Sequence, residues 1–273
     1  MRVPVILLNY NSASDCRKCV SFLKRQQGVE LEIIIVDNCS REDDRNDVER
    51  LCQKQGCTFI PATKNRGYNA GNNIGLRYAA EKGYKYAMIA NPDIEFPQED
   101  YIQKLVTKME QDDTIAVCAS DIVNPDGRHL NPQREATYSE ELFWFREIMR
   151  NRKSKKWYLC DSTQSGYCEK VSGCCLLLRM DFMQNIGFFD ENVFLYSEES
   201  ILAKQVKLSN KKMYYLNDSQ AVHQHIESQK GAIKPRMKIL FKSRTYYLRK
   251  YSGYGRLKLN LLLFSKHLQY MFY

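Results

Sequence analysis

The chain has 273 residues, 44% hydrophobic and 27% charged, with 13 Gly, 7 Pro and 10 Cys. That length and apolar content support a buried core in one large domain or two small ones, and exclude a disordered or collagen-like chain. The net charge of +9 is unevenly placed: no Asp or Glu follows Glu227, eleven Lys or Arg run from Lys230 to Lys266, and the first 227 residues are left near −2.

The first third alternates short apolar runs with amphipathic stretches. Residues 3–8 read as a buried strand, and Ser12 or Ser14 caps a helix reaching to about residue 27. The run 3–8 is too short for a signal-peptide core and meets Asn9-Tyr10-Asn11 at once. No stretch approaches the roughly 20 apolar residues that cross a bilayer, so a cytoplasmic protein is expected. A second strand is read at 31–36, a polar helix at 41–55, a short strand at 58–61, a helix at 69–82 and a strand at 86–90. A helix at 98–111 and a strand at 115–119 follow. Strand–helix alternation with such short loops calls for a parallel sheet covered on both faces.

The pattern then loosens. Asn124-Pro125-Asp126-Gly127 signals a turn, and residues 138–158 look helical and then basic, as a flap would. Strands are expected at 170–178, 213–216 and 221–225, and helices at 181–185 and 198–208. From residue 233 the chain reads as helix, broken at 252–255. Cys16 and Cys19 in a C-x2-C, with Cys52 and Cys57, raise the question of zinc. The first pair falls in a helix and the second is spaced more loosely than in a ribbon, so these thiols read as reduced core residues.

In a sheet of this kind ligands sit beyond the carboxyl ends of the strands. Four polar clusters fall there: Asn9-Tyr10-Asn11, Asp37-Asn38, Asn65-Arg66-Gly67 and Asn91-Pro92-Asp93. Singly each is a turn or helix cap; in succession they line one pocket. Between Asn65 and Gly75 the glycines Gly67, Gly71 and Gly75 stand four apart, unlike a dinucleotide fingerprint or a P-loop. That spacing puts them on one helix face, where either a ligand or a packed strand comes close.

The segments Val5 to Ser12, Ile35-Val36-Asp37-Asn38, Asn65 to Gly71 and Asn91-Pro92-Asp93 resemble family 2 glycosyltransferases in order and spacing. Val171 to Arg179, Gly187-Phe188-Phe189-Asp190-Glu191, Ser197-Glu198-Glu199 and Val222-His223 continue the match, which is similar to the rhamnosyltransferase-like branch over residues 3–228. The resemblance implies an α/β GT-A fold, with a Rossmann-like, mostly parallel central sheet flanked by helices and a C-terminal helical extension. It implies a catalytic domain over 1–228 and a basic amphipathic tail over 229–273. It also implies inverting transfer of rhamnose or another hexose from a nucleoside-diphosphate donor to a saccharide hydroxyl, in bacterial cell-surface polysaccharide synthesis.

Carried over by position, Asn9, Asn11 and Asp37 would face base and ribose, with Arg66 and Gly67 flanking the nucleotide and Asn72 or Asn73 behind them. Asn91-Pro92-Asp93 stands where the family has its Asp-x-Asp metal motif, with Asp93 its one carboxylate here. His223 falls where similar sequences place a metal- or diphosphate-side histidine, although His223 and His225 in isolation read as an alternating strand. A divalent cation, Mg²⁺ or Mn²⁺, would neutralise the leaving diphosphate. Gly173 would leave room for the donor sugar, where an ordinary core strand explains it equally well. Glu198 and Glu199 suit a helix N-terminus on electrostatic grounds alone; the resemblance makes Glu199, ahead of Glu198, the general base.

In the tail Lys and Arg alternate with Leu, Phe and Tyr, a pattern that lies on anionic membrane surfaces, packs as a helix pair or binds nucleic acid. The membrane is favoured, with a lipid-linked saccharide acceptor and no nucleic acid as partner. A nucleotidyltransferase is disfavoured because Leu8 to Ser12 offers no Gly-rich basic loop. The donor expectation is dTDP-rhamnose, then a UDP-hexose.

Overall fold

The computed structural model describes residues 1–146, 158–224 and 233–272. Period-2 alternation along the early strands decides its layers. In β1 (Arg2–Asn9) and β2 (Glu30–Asp37), Val3, Val5, Leu7, Ile33 and Ile35 face one way. They pack against α1 (Ala13–Leu23), α2 (Glu42–Gln55) and α4 (Tyr101–Gln111). Ile6, Ile34 and Val36 face the other way, toward α3 (Tyr68–Glu81), α6 (Met180–Asn185) and α7 (Glu198–Leu208). The remaining strands are β3 (Thr58–Pro61), β4 (Tyr86–Ala90), β5 (Ile94–Glu95), β6 (Ile115–Val123), β7 (Gly166–Cys168), β8 (Cys175–Arg179) and β9 (Lys212–His223). Among the described residues they form a sheet in the order β3-β2-β1-β4-β8-β6-β9-β5, with β7 on β9.

The β3-β2-β1-β4 half is parallel, and so is β6 with β9. β8 runs antiparallel to both β4 and β6, and β5 and β7 run antiparallel to β9. The sheet is therefore mixed, mostly parallel, rather than all parallel. Gly71 and Gly75 serve helix–strand packing: an added Cβ would lie 2.5 Å from Leu8 and 2.6 Å from Ile6 on β1. The two glycines let α3 sit directly on the strand, so the packing alternative holds at these positions.

Several boundaries move for local reasons. α1 ends at Leu23, short of residue 27, because Gln26 and Gln27 turn away to bond the backbone oxygens of Gln98 and Glu99. α4 begins only at Tyr101, since Gln98 is bound to Asp218 and Gln220. The strand expected from 170 begins at Cys175; Ser172 is held instead by Asn131. The two strands expected at 213–216 and 221–225 are one bulged strand, β9, with a register shift between Ser120 and Asp121 of its partner. β5 and β7 are too short to show a period. α5 (Tyr138–Leu142) starts with a capping box between Thr137 and Glu140. The rest of the expected flap, residues 147–157, lies outside the described residues, as do His225 and the expected boundary at 228/229. Cys16, Cys19 and Cys52 are buried free thiols.

The C-terminal helices α8 (Ile233–Lys250) and α9 (Arg256–Met271) pack on the body. Tyr247, Leu248, Tyr251 and Leu262 form a third apolar cluster with Val193 and Ile201. Buried Asp190 accepts hydrogen bonds from Tyr246 Oη (2.8 Å), Lys250 Nζ (2.9 Å) and Tyr251 Oη (2.6 Å). Glu141 on α5 pairs with Arg244 and, at 2.7 Å, with Lys266. Burial, then the charge of Arg244, lowers the Lys266 ammonium to about 7, while its contact with Glu141 opposes that fall. Such buried charges are tolerated because each has a partner.

Asp190 sets an acid limit on this docking. Burial alone would raise its carboxyl, but bonds from Tyr251, Lys250 and Asn192 outweigh it and hold it well below the usual range. A depressed folded pKa adds stability above the unfolded value of about 3.9 and loses it as pH falls through and below that value. Asp190→Asn is therefore expected to lower unfolding stability at pH 7 by about 1–3 kcal/mol and to flatten its loss on acidification. Urea unfolding at neutral pH and again between about pH 3 and pH 2 checks this; equal slopes for both proteins contradict it.

Candidate active site

Asn9 and Asp37 are register partners at the ends of β1 and β2, both fully buried. Asn9 Nδ2 donates to Asp37 Oδ1 (2.9 Å), Ser40 Oγ (3.1 Å) and Asp44 Oδ1 (2.7 Å), and its Oδ1 accepts from Ser12. The other Asp37 oxygen accepts from the Ser40 amide at 3.2 Å. Asp44 also takes the Ala13 amide at the start of α1. This corner is thus a satisfied polar knot that ties two strand ends to two helices. Asn11, exposed and at φ 55°, borders it and accepts from the Arg41 amide.

The turn before α3 forms the next wall. Asn38 Nδ2 donates to Asn65 Oδ1 at 3.2 Å, and Asn65 accepts from the Gly67 amide at 2.9 Å. Gly67 has φ +99°, and a Cβ there would meet the Phe194 carbonyl oxygen at 2.2 Å, so only glycine fits. Arg66 is half exposed and paired with Glu191 at 3.0 Å. Asn72 bonds back to the Tyr68 carbonyl, while Asn73 grips Phe189 and Glu191. These two asparagines are occupied in holding α3 and residues 186–197.

At the centre Tyr68 Oη donates to Gly173 O at 2.8 Å and contacts Asn91 Oδ1 at 3.1 Å. Burial, and then nearby Cys174 and the two glutamates, push this phenol well above its ordinary value and keep it a donor. The Gly173 amide points to Glu199 Oε1 at 3.3 Å, and a Cβ on Gly173 would stand 3.4 Å from that carboxylate. Tyr68, Asn91, Gly173 and Glu199 are thereby joined across β4, β8, α3 and α7. Glu198 is buried, and its Oε2 has no hydrogen-bond partner among the described residues. Burial, then the neighbouring Glu199, pushes its carboxyl well above the usual range. Both effects disfavour its charged form.

Asp93 and His223 come together where β5 pairs with β9, with Oδ2 and Nε2 3.2 Å apart. Burial lowers the imidazole, but hydrogen bonds to Asp93 and Cys174 carry it up to about 10. Asp15 in the first turn of α1 borders the same ground: burial, and then the charge of Asp93, raises its carboxyl. Among the described residues no three His, Cys, Asp or Glu are arranged to hold a metal ion. One carboxylate oxygen and one imidazole nitrogen nevertheless fit an ion that draws its other ligands from phosphate and water. A separate hollow where Phe188 and Glu191 meet Lys250 and Tyr251 contains none of the strand-end residues.

Sequence reasoning missed Tyr68, Ser40 and Asp44 as parts of this site. Tyr68 lies inside the quoted Asn65-to-Gly71 stretch, but an aromatic opening a helix reads as core. Asp44 reads as one of three acids in the first turn of α2.

The mixed sheet and its strand-end crevice define a GT-A domain, an enzyme fold that handles activated sugars. The chain belongs to Glycosyl transferase family 2, whose sequence pattern matches residues 5–174. The low-salt glycan biosynthesis hexosyltransferase Agl10 of Haloferax volcanii is 26% identical over 198 residues, or 71% of this chain. The chain spans 58% of that relative's length. Mannosyltransferase PcManGT from Pyrobaculum calidifontis, solved in complex with GDP-Man and Mn²⁺, superposes with a TM-score of 0.65 at 17% identity, covering 99% of this chain and 71% of that one. S. aureus TarS 1-349 in complex with UDP-GlcNAc gives 0.60 at 15% identity, covering 98% and 73%.

Removing the Tyr68 hydroxyl leaves Asn91 and Gly173 without their shared partner. Tyr68→Phe is expected to lower kcat/KM about 10-fold and unfolding stability by about 1–3 kcal/mol. Steady-state kinetics alongside a thermal melt decides it, and unchanged kinetics reduce Tyr68 to filling.

Proposed function

We propose that the chain transfers a hexose with inversion from a nucleoside-diphosphate sugar to a hydroxyl of a saccharide acceptor. The observation that carries this reading is Glu199 Oε1, held at 3.3 Å by the Gly173 amide in the cluster that Tyr68 links to Asn91. The acceptor oxygen attacks the anomeric carbon as its proton passes to Glu199, and the bond from that carbon to the diphosphate oxygen breaks. The electron pair leaves with the nucleoside diphosphate, and the two opposed steps make the transfer inverting. Asp93 and His223 would hold a divalent cation, Mn²⁺ or Mg²⁺, which when bound neutralises charge on the leaving diphosphate. Arg66 and Asn11, at the exposed rim, are the proposed nucleotide contacts, with Asn9, Asp37, Asn72 and Asn73 supporting them from behind.

The proposed donor is dTDP-rhamnose, followed by UDP-hexoses and by GDP-Man and UDP-GlcNAc, which the structural neighbours bind. The proposed setting is cell-surface polysaccharide synthesis in the cytoplasm, at the inner face of an anionic membrane and on a lipid-linked acceptor.

Glu199→Gln is expected to keep donor binding and to lower transfer at least about 100-fold, the usual contribution of a positioned base. Donor titration beside a transfer assay tests it; near-full turnover removes Glu199 from the mechanism. In thermal-shift screening, Mn²⁺ is expected to enhance stabilisation by the matching nucleotide sugar, and Asp93→Asn with His223→Gln to abolish that enhancement. An enhancement that survives both substitutions places the cation elsewhere.

A further inference from the structure

The face of α9 opposite the body is apolar and uncovered by any described residue. Leu257, Leu261, Phe264, Leu268 and Met271 follow a 4-3-4-3 spacing, which gathers them into one stripe about 100° wide. Leu257 is 76% exposed, Phe264 62% and Met271 71%. The inner face is pinned: Leu262 is buried, Ser265 Oγ donates to Leu142 O at 2.7 Å, and Lys266 pairs with Glu141. The stripe therefore cannot roll inward. Phe272, 75% exposed, extends it and packs on Trp144, beside exposed Phe143 and Phe145.

Two occupants suit such a stripe, a helix of a second copy or a lipid surface, and charge decides between them. The heptad-like spacing would seat a second copy, but the positions flanking the stripe carry Lys258, Asn260, Ser265 and His267, with no acid to pair across a seam. Self-association would set cations against cations. Lipid headgroups of negative charge are complementary instead. Part of the tail's cationic charge is spent internally: Arg244 on Glu141, Lys250 on Asp190 and Lys266 on Glu141. Lys234, Lys238, Lys242 and Arg249 remain exposed on one side of α8, and Arg256 and Lys258 on α9. No helix among the described residues is long and apolar enough to cross a membrane, so contact would be lateral.

We propose that the outer face of α9 is a membrane-docking surface that lies in the headgroup layer of an anionic bilayer, with Leu257, Leu261, Phe264, Leu268 and Met271 as its inserted edge. This deepens the membrane setting of the proposed function. α9 makes the insertion, whereas much of α8 is committed to holding the catalytic body. Deleting the tail would be a poor test, because it would also remove the partners of Asp190 and Glu141.

The test is flotation of the full chain with phosphatidylcholine vesicles, with and without about one-third phosphatidylglycerol. Wild type is expected to float with the anionic vesicles alone, and less so as salt rises. Phe264→Ser with Leu268→Ser, both exposed in the folded chain, should lower partitioning about 10-fold or more at an unchanged melting temperature. Equal flotation of variant and wild type, or no flotation of wild type, overturns the proposal. So does a wild-type dimer on gel filtration that the double substitution turns into a monomer, since the stripe then belongs to a second copy. Donor hydrolysis in vesicle-free buffer separates the two readings: its persistence in the double variant leaves the transferase reading intact, and its absence from wild type sinks that reading alone.

Discussion

Residues 186–197 carry three non-glycine residues at positive φ, Phe188, Tyr196 and Ser197. Such conformations cost about 1–3 kcal/mol each and persist only where the surroundings over-determine them. Here α3 supplies one set of restraints: Asn69 on the Asp190 carbonyl, Asn73 on Phe189, and Arg66 and Arg77 on Glu191. α8 supplies the other: Tyr246, Lys250 and Tyr251 on Asp190, and Ser243 on the Leu195 carbonyl. The segment ends at Ser197, one residue before Glu198, so its position decides where Glu199 stands. Arg244 reaches the same helix through Ser200 at 3.3 Å. The C-terminal helices thus contribute to the catalytic body directly.

The same clamp explains why the strand ends are so rich in asparagine. An amide side chain donates and accepts at once, so one residue can close a network that would leave an aspartate or lysine with unmatched capacity. Asn9 and Asn73 work in this way, while Asn38 donates to Asn65 and Asn65 accepts from Asn38 and the Gly67 amide, each linking a strand end or turn to a neighbouring segment. The groups proposed to meet a ligand are fewer: Glu199, the Asp93–His223 pair and the rim at Asn11 and Arg66. The motif residues divide into those that build the crevice and those that face it, and spacing alone does not separate the two.

The layers were legible because alternation in 3–8 and 31–36 and the helical periods between them are local signals. The antiparallel course of β8 was not, since Cys175 to Leu178 are apolar throughout and the strand is buried on both faces whichever way it runs. The bulge that joins the two halves of β9 depends on β6 across the sheet, and β5 spans only two residues. The strand-end clusters were readable as groups that meet at one edge of the sheet, whereas Tyr68 was hidden by its ordinary apolar role. The tail shows the clearest limit. Its cations read as one continuous face, yet Arg244 and Lys266 find Glu141 more than a hundred residues back in the chain. A pairing over that distance leaves no mark in periodicity.

The reversal of β8 also accounts for how Gly173 comes to serve the site. In parallel strands the last residue, or the one just after it, stands at the carboxyl edge of the sheet, as Asn9, Asp37 and Asn91 do. An antiparallel strand enters from the crevice, so the residues just before it, Gly173 and Cys174, occupy that place. The Asn91 amide bonds the Cys174 carbonyl at 2.8 Å, which locks the end of one strand to the start of the other. A Cβ on residue 173 would stand in ordinary van der Waals contact with Glu199, at 3.4 Å, on the side where the Gly173 amide donates to Oε1 at 3.3 Å. The turn into an antiparallel strand is thus what brings a backbone amide, rather than a side chain, to this carboxylate.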